Sequence, residues 1–304
     1  MEVASKQTKW INLSIKRPSL WLGLIVLLAI AGGLVYRELT AVHLGQSSVG
    51  LTPLTELGRG TYHGAQGGLY PGGSNKRPSA HEAAGIEIAE GIRPLASDGS
   101  VDEQNGKIGF VAVGMSNTMM EFAVFLEQGD KIPQLNPAVV LVNGAEMHKA
   151  SQFVADPEDD YWTTLDERIT TAGLSDAQVQ VVWLKEARAS NNLPFPLDAL
   201  LLKNDLREII ENLSARFPNL KMVYLSSRTY GGYATTDLSP EPHAYQSAFA
   251  VKWLIEDQIE GKVGLNYDPN QGTVYAPWLS WGPYLWADGV AGEATGIIWE
   301  QSDF

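Results

Sequence analysis

Four apolar, β-branched runs recur from residue 107 onward, and a helical pattern separates each from the next. The runs are "KIGFVAVG" (107–114), "AVVLVNG" (138–144), "VQVVWLKEA" (179–187) and "LKMVYLSS" (220–227). The helical stretches are "NTMMEFAVFLEQ" (117–128), "DYWTTLDERITTAG" (160–173), "PLDALLLKNDLREIIENLSARF" (196–217) and "HAYQSAFAVKWLIEDQIEG" (243–261), the last closed by Gly261. Strands without polar alternation are buried on both faces, which requires a mostly parallel sheet with helices on either side. The pattern predicts a three-layer α/β/α domain, flavodoxin-like in type. The chain has 304 residues, 44% of them hydrophobic, enough for one such domain and an extension.

The domain is expected over 79–304. It opens with a helix in "SAHEAAGIEIAEGI", with Ser79 as N-cap, Glu82 as its capping-box partner and Gly85 as a weak point. Residues 37–78, which include "LGRGTYHGAQGGLYPGGSNKRP", carry too much Gly and Pro for a long element and read as a spacer and surface segment. Before them, "SLWLGLIVLLAIAGGLVY" (19–36) is an uncharged run of 18 residues, long enough to cross a bilayer. Lys6, Lys9, Lys16 and Arg17 precede it, against Glu2 as the single acid. Residues 1–18 are therefore expected in the cytoplasm and the main domain outside, periplasmic or extracellular. An uncleaved anchor is the favoured reading, and a cleaved signal peptide ending near "AIAGG" is its rival.

A net charge of −13 argues against nucleic acid as a partner. The absence of cysteine excludes disulfides, thiolate catalysis and thiolate metal sites. No His-x-x-x-His pair or Asp-rich loop with ligand spacing occurs. The acids of "DPEDDYW" (156–162) precede a helix, where they complement its dipole. Neither a metal nor a cofactor is expected.

Ligands of open parallel sheets bind beyond the carboxyl ends of the strands. Four segments fall there: "GMSNT" (114–118), "NGAEMH" (143–148), "LKEAR" (184–188) and "SSRTYGGY" (226–233). Ser116 stands at the first, where a helix begins. It reads either as an N-cap or as a nucleophile beside N–H groups suited to an oxyanion. His148 is the best-placed internal base, with a surface or hydrogen-bonded role as the alternative. His63 and His81 lie in or beside the Gly-rich segment, and His243 at a helix start after a proline. Lys185, Arg228 and Tyr230 should line the crevice, and Arg228 suits a carboxylate or a phosphate or else pins a loop. "PWLSWGPYLWADG" (277–289) carries too much Pro, Gly and Trp for a regular element. Its Trp278, Trp281, Tyr284 and Trp286 form either a hydrophobic plug or a platform for a sugar face.

The arrangement resembles the SGNH (GDSL-type) hydrolases, mainly esterases, lipases and carbohydrate acetylesterases. In that family the first strand ends in Gly-Asp-Ser; here Gly114-Met115-Ser116 stands in its place. The second block is Asn-x-x-x-x-Gly; here Asn143 is followed by Met147 and His148 at the far end. The third block, Gly-x-Asn-Asp, has no counterpart, since Lys185 and Glu186 occupy that turn. The fourth, Asp-x-x-His, is absent after 261. "GMSNT", "SSRTYGGYA", "EPHAYQSAFAVKWLIE" and "PWLSWGPYLWADG" are similar to a divergent bacterial branch of the family, whose members carry Asp-Gly-Thr-His-Pro-Ser soon after a segment like "GIIWEQSDF". The resemblance covers 107–304. It implies a serine ester hydrolase acting on a small-molecule or glycan ester, possessing Ser116 as nucleophile, oxyanion donors near Asn143, Gly144 and His148, and substrate contacts from Lys185, Arg228, Tyr230, Trp281 and Tyr284. It also implies a longer gene product that supplies the base. A non-catalytic ligand- or carbohydrate-binding domain of the same fold is the alternative.

Overall fold

The computed structural model describes residues 45–129, 135–190 and 193–304. The apolar run at 19–36 lies outside them; among the described residues no helix is long and apolar enough to cross a membrane.

The main elements follow the predicted alternation. They are α1 (Ser79–Glu90), β1 (Ile108–Gly114), α2 (Ser116–Gly129), β2 (Val139–Asn143), α3 (Tyr161–Thr171), β3 (Val179–Lys185), α4 (Leu197–Arg216), β4 (Met222–Ser226), α5 (His243–Ile259) and β5 (Trp278–Trp281). The five strands form one parallel sheet in the order β2-β1-β3-β4-β5, flanked by helices. Strand residues Val111, Val113, Val182, Leu184, Val223 and Leu225 are fully buried. On α4, Leu202, Leu206, Ile209, Ile210 and Leu213 recur at helical spacing and enter the same core, where they meet Leu254 and Ile255 of α5.

Two expectations need correction. The stretch around "PWLSW" does contain a regular element: β5 pairs in parallel with β4, from Met222 opposite Trp278 to Leu225 opposite Trp281. Its Trp, Leu, Ser and Trp are all buried, so an edge strand forms despite the flanking Pro and Gly. Ser79 is also not a cap. It is the first helical residue of α1 and Pro78 precedes it without a side-chain cap, while Glu82 pairs with Arg77 at 3.1 Å. Proline at this boundary brings a fixed φ where no helical N–H partner is required.

Gly85, a weak point by helix propensity, has a packing reason. A Cβ there would lie 2.3 Å from Cζ2 of Trp278. The Trp278 indole in turn stacks on His81 and donates to the His81 carbonyl at 3.1 Å. Gly85→Ala should therefore destabilise by about 1–2 kcal/mol, because overpacking outweighs the gain in helix propensity. A urea midpoint at or above wild type would contradict this packing account.

The glycine-rich segment packs onto the domain. Leu54 and Tyr70 belong to the core, Tyr70 shares a 3.0 Å hydrogen bond with Ser280, and the Trp281 indole donates to Leu69 O at 2.7 Å. Ahead of it, residues 46–50 form a strap. The Asp288 carboxylate accepts from Ser48 Oγ at 2.6 Å and from the Val49 and Gly50 N–H groups at 2.7 and 2.9 Å. Tyr230 Oη donates to Gln46 O at 2.8 Å.

Candidate active site

The sheet register decides which side chains share an edge. Gly114 ends β1 opposite Lys185 of β3, and Lys185 stands opposite Ser226 of β4. Ser116, Glu186 and Arg228 follow these residues by one or two positions, so the carboxyl edge gathers them. In this strand order the chain reverses direction between β1 and β3, the switch point at which α/β sheets hold ligands.

Gly114 is required at its corner. A Cβ would meet Lys185 O at 2.2 Å and Thr118 Oγ1 at 2.4 Å. That space is used by Thr118, which donates to Lys185 O at 2.6 Å and so ties the first turn of α2 to β3. Gly114→Ala should cost about 2 kcal/mol, read as a lowered urea midpoint. An unchanged midpoint would mean that the corner has room.

Ser116 is half-buried and, among the described residues, its hydroxyl makes no hydrogen bond. It is therefore not acting as a side-chain cap. Met115, at the position before it, is buried with Ala150 and Ala187, which fixes the turn by packing. Met119 N–H closes the first turn on Met115 O at 3.0 Å. The N–H groups ahead of it in a first helical turn have no helical acceptors and point at the positive end of the dipole.

The second strand end behaves differently. Glu146 N–H donates to Gly114 O at 2.9 Å and holds the loop against the corner. Asn143 Nδ2 donates to Met119 O at 2.8 Å, and Gly144 N–H to Val142 O at 3.1 Å. Both donors are committed, so the open donors at this corner are those of α2. His148 is exposed, with a φ of 66° in the left-handed region. Among the described residues no histidine bonds to Ser116. His81 Nε2 meets Leu279 O at 2.8 Å, and His243 lies 3.6 Å from Asp198.

Behind the corner sits a group of buried charges. Lys185, 2% exposed, contacts both Glu121 oxygens at 2.5 and 2.6 Å. Burial lowers its pKa, against the raising effect of Glu121. Glu186 is 1% exposed; burial raises its carboxyl well above the usual range, one oxygen accepting from Ala187 N and the other unpartnered. Arg228 is buried. One terminal nitrogen donates to Asn117 Oδ1, its backbone N–H to Ser247 Oγ at 3.1 Å, and its Nε has no partner. Glu241 is fully buried and accepts from Gly231 N, Tyr245 N and the Trp286 indole, yet burial still pushes its carboxyl up to about 7.

Sequence reasoning placed Ser116, Lys185 and Arg228 on this edge. It gave no role to Asn117, Glu121, Glu186 or Glu241. The polar residues inside apolar runs, Glu186 after β3 above all, were the available signal. Lys185 is occupied by Glu121, and the Tyr230 hydroxyl by Gln46 O. Trp281 and Trp286 are buried with their indole N–H groups on Leu69 O and Glu241, while Tyr284 is half-buried and its hydroxyl oxygen accepts from Leu54 N–H at 2.9 Å. These rings serve packing. The acids before α3 are engaged as well: Lys149 lies 2.6 Å from Asp159, whose carboxylate accepts from Tyr161 N–H. Among the described residues no cluster of three or more His, Asp or Glu is arranged to hold a metal ion.

No family model matches the chain, and no curated protein matches it. Among solved structures it is similar to the periplasmic domain of a lipopolysaccharide acetyltransferase from Salmonella ser. Paratyphi A, at 16% identity and a TM-score of 0.28. That match covers 52% of this chain and 61% of the other, so the chain spans about three fifths of that neighbour's length.

Proposed function

We propose that the protein is an SGNH-like serine ester hydrolase, anchored through residues 19–36 with its main domain outside the cytoplasm, and that it acts on an acylated glycan or a related small ester. The observation that carries this reading is Ser116: a part-exposed, uncommitted hydroxyl at the switch point of a parallel sheet, at the start of a helix. The hydroxyl attacks the ester carbonyl, and the N–H groups of the first turn of α2 take the negative charge that develops on its oxygen. Alcohol leaves, and water releases the acyl group. A serine needs a base for the first step. The family resemblance assigns that role to a histidine of an Asp-x-x-His block, which residues 1–304 do not contain.

A second reading is a ligand-binding domain of the same fold. It is favoured by one observation: among the described residues no imidazole engages Ser116. Hydrolysis of a simple aryl acetate by the full gene product, with and without Ser116→Ala, separates the two. Turnover that depends on Ser116 supports the hydrolase. No turnover in either protein supports the binder.

A further inference from the structure

A cavity of about 370 Å³ opens beside Arg228. Its walls include Tyr233, Thr235, Thr236, Leu238 and Phe304, and Arg228 is the single charged side chain that lines it. The arginine is 7% exposed. Among the described residues it forms no ion pair: its side-chain hydrogen bond goes to neutral Asn117, and Nε lacks an acceptor. A guanidinium taken out of water without a carboxylate partner is costly, and its five donors suit a flat or tetrahedral oxyanion.

Glu121, Glu241 and Glu186 lie near enough to favour the charged guanidinium, but none of them pairs with it. Glu121 is taken by Lys185. Burial raises the Glu186 carboxyl, whose one bonded oxygen accepts from Ala187 N, and Glu241 spends its oxygens on three other donors. Asn117 connects this cavity to the corner, because it bonds to Arg228 and follows Ser116 in the chain.

We propose that this cavity is an anion subsite in which Arg228 receives a carboxylate or phosphate group of the substrate, so that the ester presented to Ser116 belongs to an acidic molecule. The last clause rests on the hydrolase reading; the anion subsite does not. Its chemistry is a small oxyanion on a polar body, and the two sources are an acidic sugar and a phosphorylated one.

Isothermal titration of the full chain at pH 7 and low salt, with sodium glucuronate, inorganic phosphate and glucose, tests it. At least one anion should bind and glucose should not. Arg228→Gln should weaken binding tenfold or more, the scale of a lost charge-assisted hydrogen bond. Because that variant removes a buried group, Thr236→Glu is the second test. Thr236 is exposed on the cavity wall, so a carboxylate there should weaken anion binding while melting stays as in wild type. Ser116→Ala should bind the anion normally. Absence of binding by both anions overturns the subsite, as does wild-type affinity in Thr236→Glu. Anion binding without Ser116-dependent turnover supports the subsite and overturns the hydrolase. Turnover without anion binding overturns the subsite alone.

Discussion

Ser116→Ala should lower aryl acetate hydrolysis by the full gene product roughly 10⁴- to 10⁶-fold, because nucleophile, base and oxyanion donors act as a unit. The fold should be unaffected. The hydroxyl is part-exposed and bonds to nothing among the described residues, so its removal strands no partner. Residues 37–304 by themselves should show little or no turnover, since a serine without a base is a weak nucleophile. Two results would count against this. Full activity in 37–304 would require an internal base such as His148. Full activity in the alanine variant would make Ser116 a bystander.

Burial of Glu241 and Glu186 should make the folded state lose stability as the pH rises from about 4.5 to about 7. An unfolded glutamate releases its proton near 4.5, whereas Glu241 in the fold holds it up to about 7. Across that window the unfolded chain binds fewer protons, so rising pH favours unfolding. For Glu241 the loss amounts to about 3 kcal/mol by pH 7, at about 1.4 kcal/mol per pH unit. Glu186 shifts in the same direction for the same reason. His81 and His243 act oppositely, because burial holds both imidazoles neutral and the fold loses stability as the pH falls through 6.5. A comparison of variants separates the effects. Glu186→Gln keeps the shape and cannot ionise, so its urea midpoint should exceed wild type at pH 7.5 and match it at pH 5. A variant weaker than wild type at pH 7.5 would show that the carboxylate form is wanted.

The sheet was legible because its strands are unbroken apolar runs, and buried parallel strands have no other way to be written. The helices followed from spacing, α4 most clearly. The fifth strand was not legible. Four residues give too short a window for a period, and Trp278 to Trp281 are held by β4 and by α1, neither adjacent in sequence. At the site, the corner was readable from "VGMSNT", since a glycine and a serine break an apolar run there. The buried charges were not. The pairing of Lys185 with Glu121 links β3 to α2, and the bond between Arg228 and Asn117 spans 111 residues. Such partners are chosen by the register of β1, β3 and β4, which no local pattern states.

The strap at 46–50 sets an order of events during synthesis. Its acceptor, Asp288, lies 238 to 240 positions downstream of the groups that bind it. A chain is made from its amino end, so Ser48, Val49 and Gly50 leave the ribosome when their partner does not yet exist. Throughout that interval water must serve their donors. The strap can fasten only once the chain has been delivered through Asp288. A nascent or prematurely ended chain therefore carries a loose leading segment, which proteases can cut and which marks it as unfinished.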